Sequence, residues 1–170
     1  RASVEAERFD RSLQALALND AHSGARSFTR APYHFEAGAS FGRDPRTLRL
    51  ALTMVDQQLD AAGGTVLLSD LQAVGGGGGL AGYEYQRFRD LDLMLGKLSY
   101  IFPIAKNAEF DLHTESGGVY SHVGQVGLAT LRGSFGAALR LRTETGMLGA
   151  LGCDWSLERV RISLSLGGVE

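Results

Sequence analysis

From Thr47 to Val55 the side chains alternate: Leu48, Leu50, Leu52 and Met54 fall on one side, Arg49, Ala51 and Thr53 on the other. A helix repeats about every 3.6 residues and cannot set leucine on one face at every second position, whereas a strand does so by construction. This period of two recurs along the chain. Ser134–Arg142 sets Phe135, Ala137, Leu139 and Leu141 against Ala138, Arg140 and Arg142. Arg159–Leu166 sets Val160, Ile162, Leu164 and Leu166 against Arg161, Ser163 and Ser165. With Ser3–Phe9, His34–Phe41, Asp92–Phe102, Glu109–Gly117 and Met147–Trp155, eight strands and almost no helix are expected. The fold class is therefore all-β and antiparallel, with one or two turns of helix expected only in Ser12–Leu18.

The connections expected between these strands are mostly long and short in turn. Residues 10–32, 58–91 and 118–132 are long, whereas 43–46, 103–107 and 143–146 are short, and only 156–158 departs from the pattern. Long loops at one rim and tight turns at the other are the habit of outer-membrane barrels. Strands of about 9–11 residues also match a tilted membrane crossing. One face is aliphatic and aromatic; the other carries Arg49, Lys97, Glu115, Arg140 and Arg161. The pattern leaves open which face points inward, so a membrane barrel and a soluble barrel both remain. Tyr33, Tyr100, Phe102 and Trp155 fall near expected strand ends, where they suit a membrane girdle or a soluble core.

Composition narrows the class. The formal net charge of −2 offers no basic footprint for nucleic acid. The single cysteine, Cys153, excludes an internal disulfide and a zinc site built from cysteine alone. On the apolar face it reads as a small buried hydrophobe. No run reaches the roughly 18 apolar residues of a spanning helix, which says nothing against spanning strands. The chain opens at Arg1 and is read as a processed form or a fragment.

Gly75–Asp90 is the most unusual stretch. Its five consecutive glycines hold neither helix nor strand and let another surface approach closely. Behind them, Tyr83, Tyr85 and Phe88 mix with Glu84, Arg87, Arg89 and Asp90. The stretch is expected to be a mobile hinge leading to an aromatic, charged tip, serving either as a phosphate cradle or as a plug. Gly77–Gly82 satisfies G-x-G-x-x-G, but no helix is expected after it and Lys97 stands where an acidic residue belongs. His113, Glu115 and His122 could in principle ligate a metal, though polar residues near a barrel rim are the simpler reading. No nucleophile elbow or other catalytic constellation is present, and no cofactor is expected.

Leu80-Ala81-Gly82-Tyr83, then Arg87-Phe88-Arg89-Asp90, then Leu98-Ser99-Tyr100-Ile101-Phe102-Pro103-Ile104 resembles a signature of the bacterial surface-antigen superfamily. Ser134–Arg142 is similar to that family's next glycine-rich strand. Its members include the BamA and TamA assembly factors and the two-partner secretion transporters. The resemblance implies a transmembrane barrel in the bacterial outer membrane, with this chain covering about half of sixteen strands. It implies that the 58–91 loop folds into the lumen, with Gly79, Leu80, Ala81, Gly82 and Tyr83 followed by Arg87, Phe88, Arg89 and Asp90. Thr114-Glu115-Ser116-Gly117 corresponds to the partner strand, making Glu115 and Gly117 the lumenal counterpart of the loop. Ala81 stands where the family carries arginine, so Arg87 or Arg89 is expected to reach Glu115, or else Tyr83 and main-chain contacts hold the loop.

The function implied is non-enzymatic: insertion or translocation of other proteins, by an open barrel edge that templates an incoming strand. The expected partners are outer-membrane lipid, client barrel or secreted proteins, and subunits of an assembly complex, with no nucleic acid. A passive pore or structural barrel is the alternative, and a soluble ligand-binding barrel the second.

Overall fold

Period-two alternation becomes one antiparallel sheet in the computed structural model, which describes residues 3–6, 28–42, 46–59, 68–127, 130–143 and 146–166. The strands are β1 (Ser3–Ala6), β2 (Phe28–Phe41), β3 (Arg46–Leu59), β4 (Gln72–Val74), β5 (Phe88–Asp90), β6 (Asp92–Ala105), β7 (Ala108–Tyr120), β8 (Arg132–Arg142), β9 (Met147–Ser156) and β10 (Val160–Leu166). Eight of them form the sheet, in the order β1-β2-β3-β6-β7-β8-β9-β10. Neighbours in this sheet are neighbours in sequence, apart from the inserted β4–β5 pair. The sheet is open, with β1 and β10 as its edges. Among the described residues no helix is long and apolar enough to cross a membrane.

Three local expectations are corrected. Pro32, the last residue of the long connection expected at 10–32, lies inside β2 opposite Val55. There β2 has a described neighbour on one side only, because β1 reaches no further than Ala37–Ser40, and a residue without an N–H is tolerated on such an edge. Pro103, expected to open a turn, lies inside β6. Its pairing with β7 slips between Pro103 and Ala105, and an irregular ladder is where proline fits. The turn itself is Lys106–Asn107. The third correction adds β4 and β5, which were not foreseen in the long connection. The expected helix at 12–18 and the turn at 43–45 lie outside the described residues.

Register sorts the side chains into two faces. One row runs Leu50, Leu98, Thr114, Phe135, Trp155, Val160; another runs Leu48, Tyr100, Leu112, Ala137, Cys153, Ile162. Along this face the described strands carry Asp or Arg only near their ends, at Arg46, Asp56 and Asp92. Its large residues are exposed: Phe35, Leu52, Leu98, Leu112, Phe135 and Leu151 all stand open. Rings gather towards strand ends, with Phe41, Tyr100, Phe102 and Phe110 in successive contact at the short-turn end. Phe135 stacks on Trp155 near the other end.

The opposite face carries Glu36, Arg49, Lys97, Asp111, His113, Glu115, Ser134, Arg140, Asp154 and Arg161. Here Asp111, Glu115, Ser134 and Asp154 are buried. The one hydrophobic cluster among the described residues, Val55, Val74, Leu80, Tyr83 and Leu93, also lies on this side, where the 68–91 segment packs onto β3 and β6.

Candidate functional site

Strand β7 places ionisable side chains at every second position of the polar face: Glu109, Asp111, His113 and Glu115. Each meets an ionisable partner from another strand of the sheet. Arg142 Nη2 lies 2.8 Å from Glu109 Oε1, and Arg140 pairs with Asp111. His113 Nε2 lies 2.8 Å from Asp154 Oδ1, and Lys97 Nζ donates to Glu115 Oε1 at 2.9 Å. A charge taken from water is tolerated only when paired and hydrogen-bonded, and register supplies the partners here.

Onto this face comes the segment 68–91. Its tip is tied to Glu115: the Ala81 N–H donates to Glu115 Oε2 at 2.7 Å, and Ser134 Oγ donates to the same oxygen at 3.2 Å. Ser156 Oγ donates to the Gly82 carbonyl at 2.8 Å. Gly82 lies so close to the Trp155–Ser156 backbone that a Cβ would come within 2.5 Å of Trp155 C. Leu80, wholly buried at φ 53°, turns its side chain into the hydrophobic cluster. Tyr83 joins that cluster and meets Phe88 edge-on at 5.2 Å between centroids. The Arg132 guanidinium sits 4.0 Å over the Phe88 ring, a geometry that favours a cation.

The segment's own charges go elsewhere. Arg87 Nε lies 3.3 Å from Glu158 Oε2, and Arg159 Nη1 donates to Glu84 Oε1 at 2.8 Å, clamping the segment to the β9–β10 turn. Arg89 donates to the Leu68 carbonyl at 3.0 Å and to Gln86. Asp90 accepts from the Leu91 N–H at 2.8 Å and from Ser121 Oγ at 3.2 Å. Neither arginine reaches Glu115; the main chain does. Gly117 pairs between Leu95 and Arg132, and a Cβ there would strike the Met94–Leu95 backbone.

The glycine pentad, expected to be a mobile hinge, adopts a defined turn. Gly76–Gly78 forms one turn of 3-10 helix, and Gly75, Gly76 and Gly79 all have positive φ. Gly75 N–H donates to the Gly79 carbonyl at 2.9 Å, and the Gln86 N–H donates to the Gly75 carbonyl at 3.2 Å. Gly75 is walled by the Glu84 carbonyl and Arg87, and Gly79 by the Leu95 side chain. These glycines serve close approach and left-handed backbone, both of which a Cβ would forbid. Residues 83–90 directly after Gly82 form turns and strand β5 with no helix, so the dinucleotide pattern lacks its setting.

His113 and Glu115 share the polar face, whereas His122 is exposed beyond the end of β7. Among the described residues no three of His, Cys, Asp or Glu are grouped to hold a metal. Lys97, Ser134 and Ser156 as supports of the docked segment, and the Asp111–His113–Asp154–Arg140 cluster, went unrecognised in the sequence. Only the alternation in Glu109–Glu115 hinted at them. No protein-family model matches the chain, and no curated protein matches it.

Proposed function

We propose that the chain is part of a transmembrane β-barrel of the bacterial outer membrane, and that it assists insertion or translocation of other proteins. The observation that carries this reading is the inverted distribution of polarity. A sheet face of exposed Leu, Phe and Met backs onto a face of buried Asp and Glu paired with Lys, His and Arg. So large an exposed apolar surface marks a face made for contact, and a barrel in lipid alternates in this sense. Rings near both strand ends suit the two headgroup levels.

The docked segment bears on barrel size. An eight-stranded barrel has an interior only wide enough for its own side chains. The 68–91 segment, with its own strand pair β4–β5, needs a wider lumen. In this reading the edges β1 and β10 join further strands, as in a barrel of about sixteen. Where such a barrel opens between two strands, the unpaired main-chain groups can template an incoming strand. Lipid, client proteins and neighbouring subunits of an assembly complex are the partners of this reading, and no covalent chemistry is asked of the chain.

The test is co-reconstitution in phospholipid vesicles with a urea-denatured eight-stranded barrel as client. Faster client folding in the presence of the protein supports assembly. An unchanged folding rate combined with steady ion conductance would replace this reading with a passive pore.

A further inference from the structure

The counter-ion of Glu115 belongs to the wall and not to the segment that docks on it. Lys97, Glu115 and Ser134 form a register row across β6, β7 and β8. The Glu115 side chain is 4% exposed, with Oε1 taken by Lys97 at 2.9 Å and Oε2 shared by Ser134 Oγ and the Ala81 N–H. The docking segment contributes only a neutral donor, because its arginines are engaged with Glu158, Gln86 and the Leu68 carbonyl. Left-handed Leu80 aims the next N–H at the carboxylate while its own side chain is buried.

We infer that Lys97, Glu115 and Ser134 make up a receptor for a peptide turn presenting a main-chain N–H, charge-balanced before that turn arrives. Lys97 is its positioning residue: it supplies the compensating charge and leaves Oε2 facing Ala81. The receptor reads backbone conformation, so the side chain at position 81 is not what is recognised. A buried carboxylate deprived of its partner is costly, and the row spares the docking segment from carrying that partner. The inference does not depend on what covers the apolar face.

Amide hydrogen exchange at Ala81, measured on the intact folded protein in detergent with β7 and β8 amides as the folding control, tests it. Lys97→Met is expected to speed exchange about tenfold or more, the scale of a hydrogen bond to a charged group. Adding Glu115→Gln to Lys97→Met should restore protection, since a carboxamide oxygen accepts the N–H without a counter-ion. Ala81→Arg should slow exchange little beside Lys97 but strongly in the Lys97→Met background, and only there should high salt undo the gain. Unchanged exchange in Lys97→Met, no recovery in the double variant, or equal protection by Ala81→Arg in both backgrounds would each overturn the receptor.

Discussion

His113 on β7 and Asp154 on β9 make a 2.8 Å contact over the strand that lies between them. Strand β8 contributes Gly136 at that crossing, where a Cβ would overlap both the imidazole and the carboxylate. One glycine thus opens the space through which two buried groups meet. His113 Nδ1 also lies 3.8 Å from Asp111 Oδ1, and Asp111 receives Arg140.

Gly136→Ala is therefore expected to push His113 and Asp154 apart and leave both buried without their partner. The loss should be about 1–3 kcal/mol, as for other orphaned buried polar groups. Gly133→Ala, where a Cβ has only the Glu115 carbonyl at 3.9 Å, should stay within about 0.5 kcal/mol. Denaturant midpoints of the two variants in detergent give the comparison.

Leu80 offers a sharper test of how the segment is seated. Leu80→Ala empties a site in the only hydrophobic cluster among the described residues, at a cost of about 2–5 kcal/mol. Leu80→Gly removes the same side chain but relieves a left-handed backbone, worth roughly 1–2 kcal/mol. Glycine should therefore be tolerated better than alanine here, the reverse of its rank within a strand. Alanine outranking glycine in a thermal or denaturant series would mean that Leu80 is not held at positive φ.

What could be read from sequence was whatever repeats locally. Leu48, Leu50, Leu52 and Met54 announce β3 by themselves, and each of the eight strands of the sheet was foreseen, most of them within a few residues of their ends. The first part of β2 was not, because Pro32 reads as a breaker until it is known to lie on an edge. Three-residue strands such as Gln72–Val74 and Phe88–Asp90 are too short to show a period. The close approach expected at the pentad is found at Gly75, Gly76 and Gly79, but which surfaces approach them depends on distant residues such as Leu95 and Arg161. The contact of His113 with Asp154 spans 41 residues and depends on the register of three strands, which no local pattern encodes. The seat of Leu80–Gly82 beside Glu115 joins residues 34 apart in sequence, and no local pattern encodes it either.

The two faces of β8 should respond oppositely to charge. Leu139 lies on the apolar face between Phe110 and Leu151, and Ala138 on the polar face between Asp111 and Gly152. Leu139→Arg should destabilise the protein in bilayers by about 2–4 kcal/mol if it meets the midplane. Ala138→Arg should cost markedly less, because its head can join the charges around Asp111. Equal penalties would remove the distinction between the faces.

Trp155 reports on the apolar face most directly, being the single tryptophan of the chain and 43% exposed on that side. The protein would be folded into phospholipid vesicles whose acyl chains carry bromine at different depths, and its emission compared with unbrominated vesicles. Strong quenching is expected, greatest for bromines near the headgroup because Trp155 lies near the end of β9. Emission that brominated and plain vesicles leave identical would contradict contact between this face and lipid.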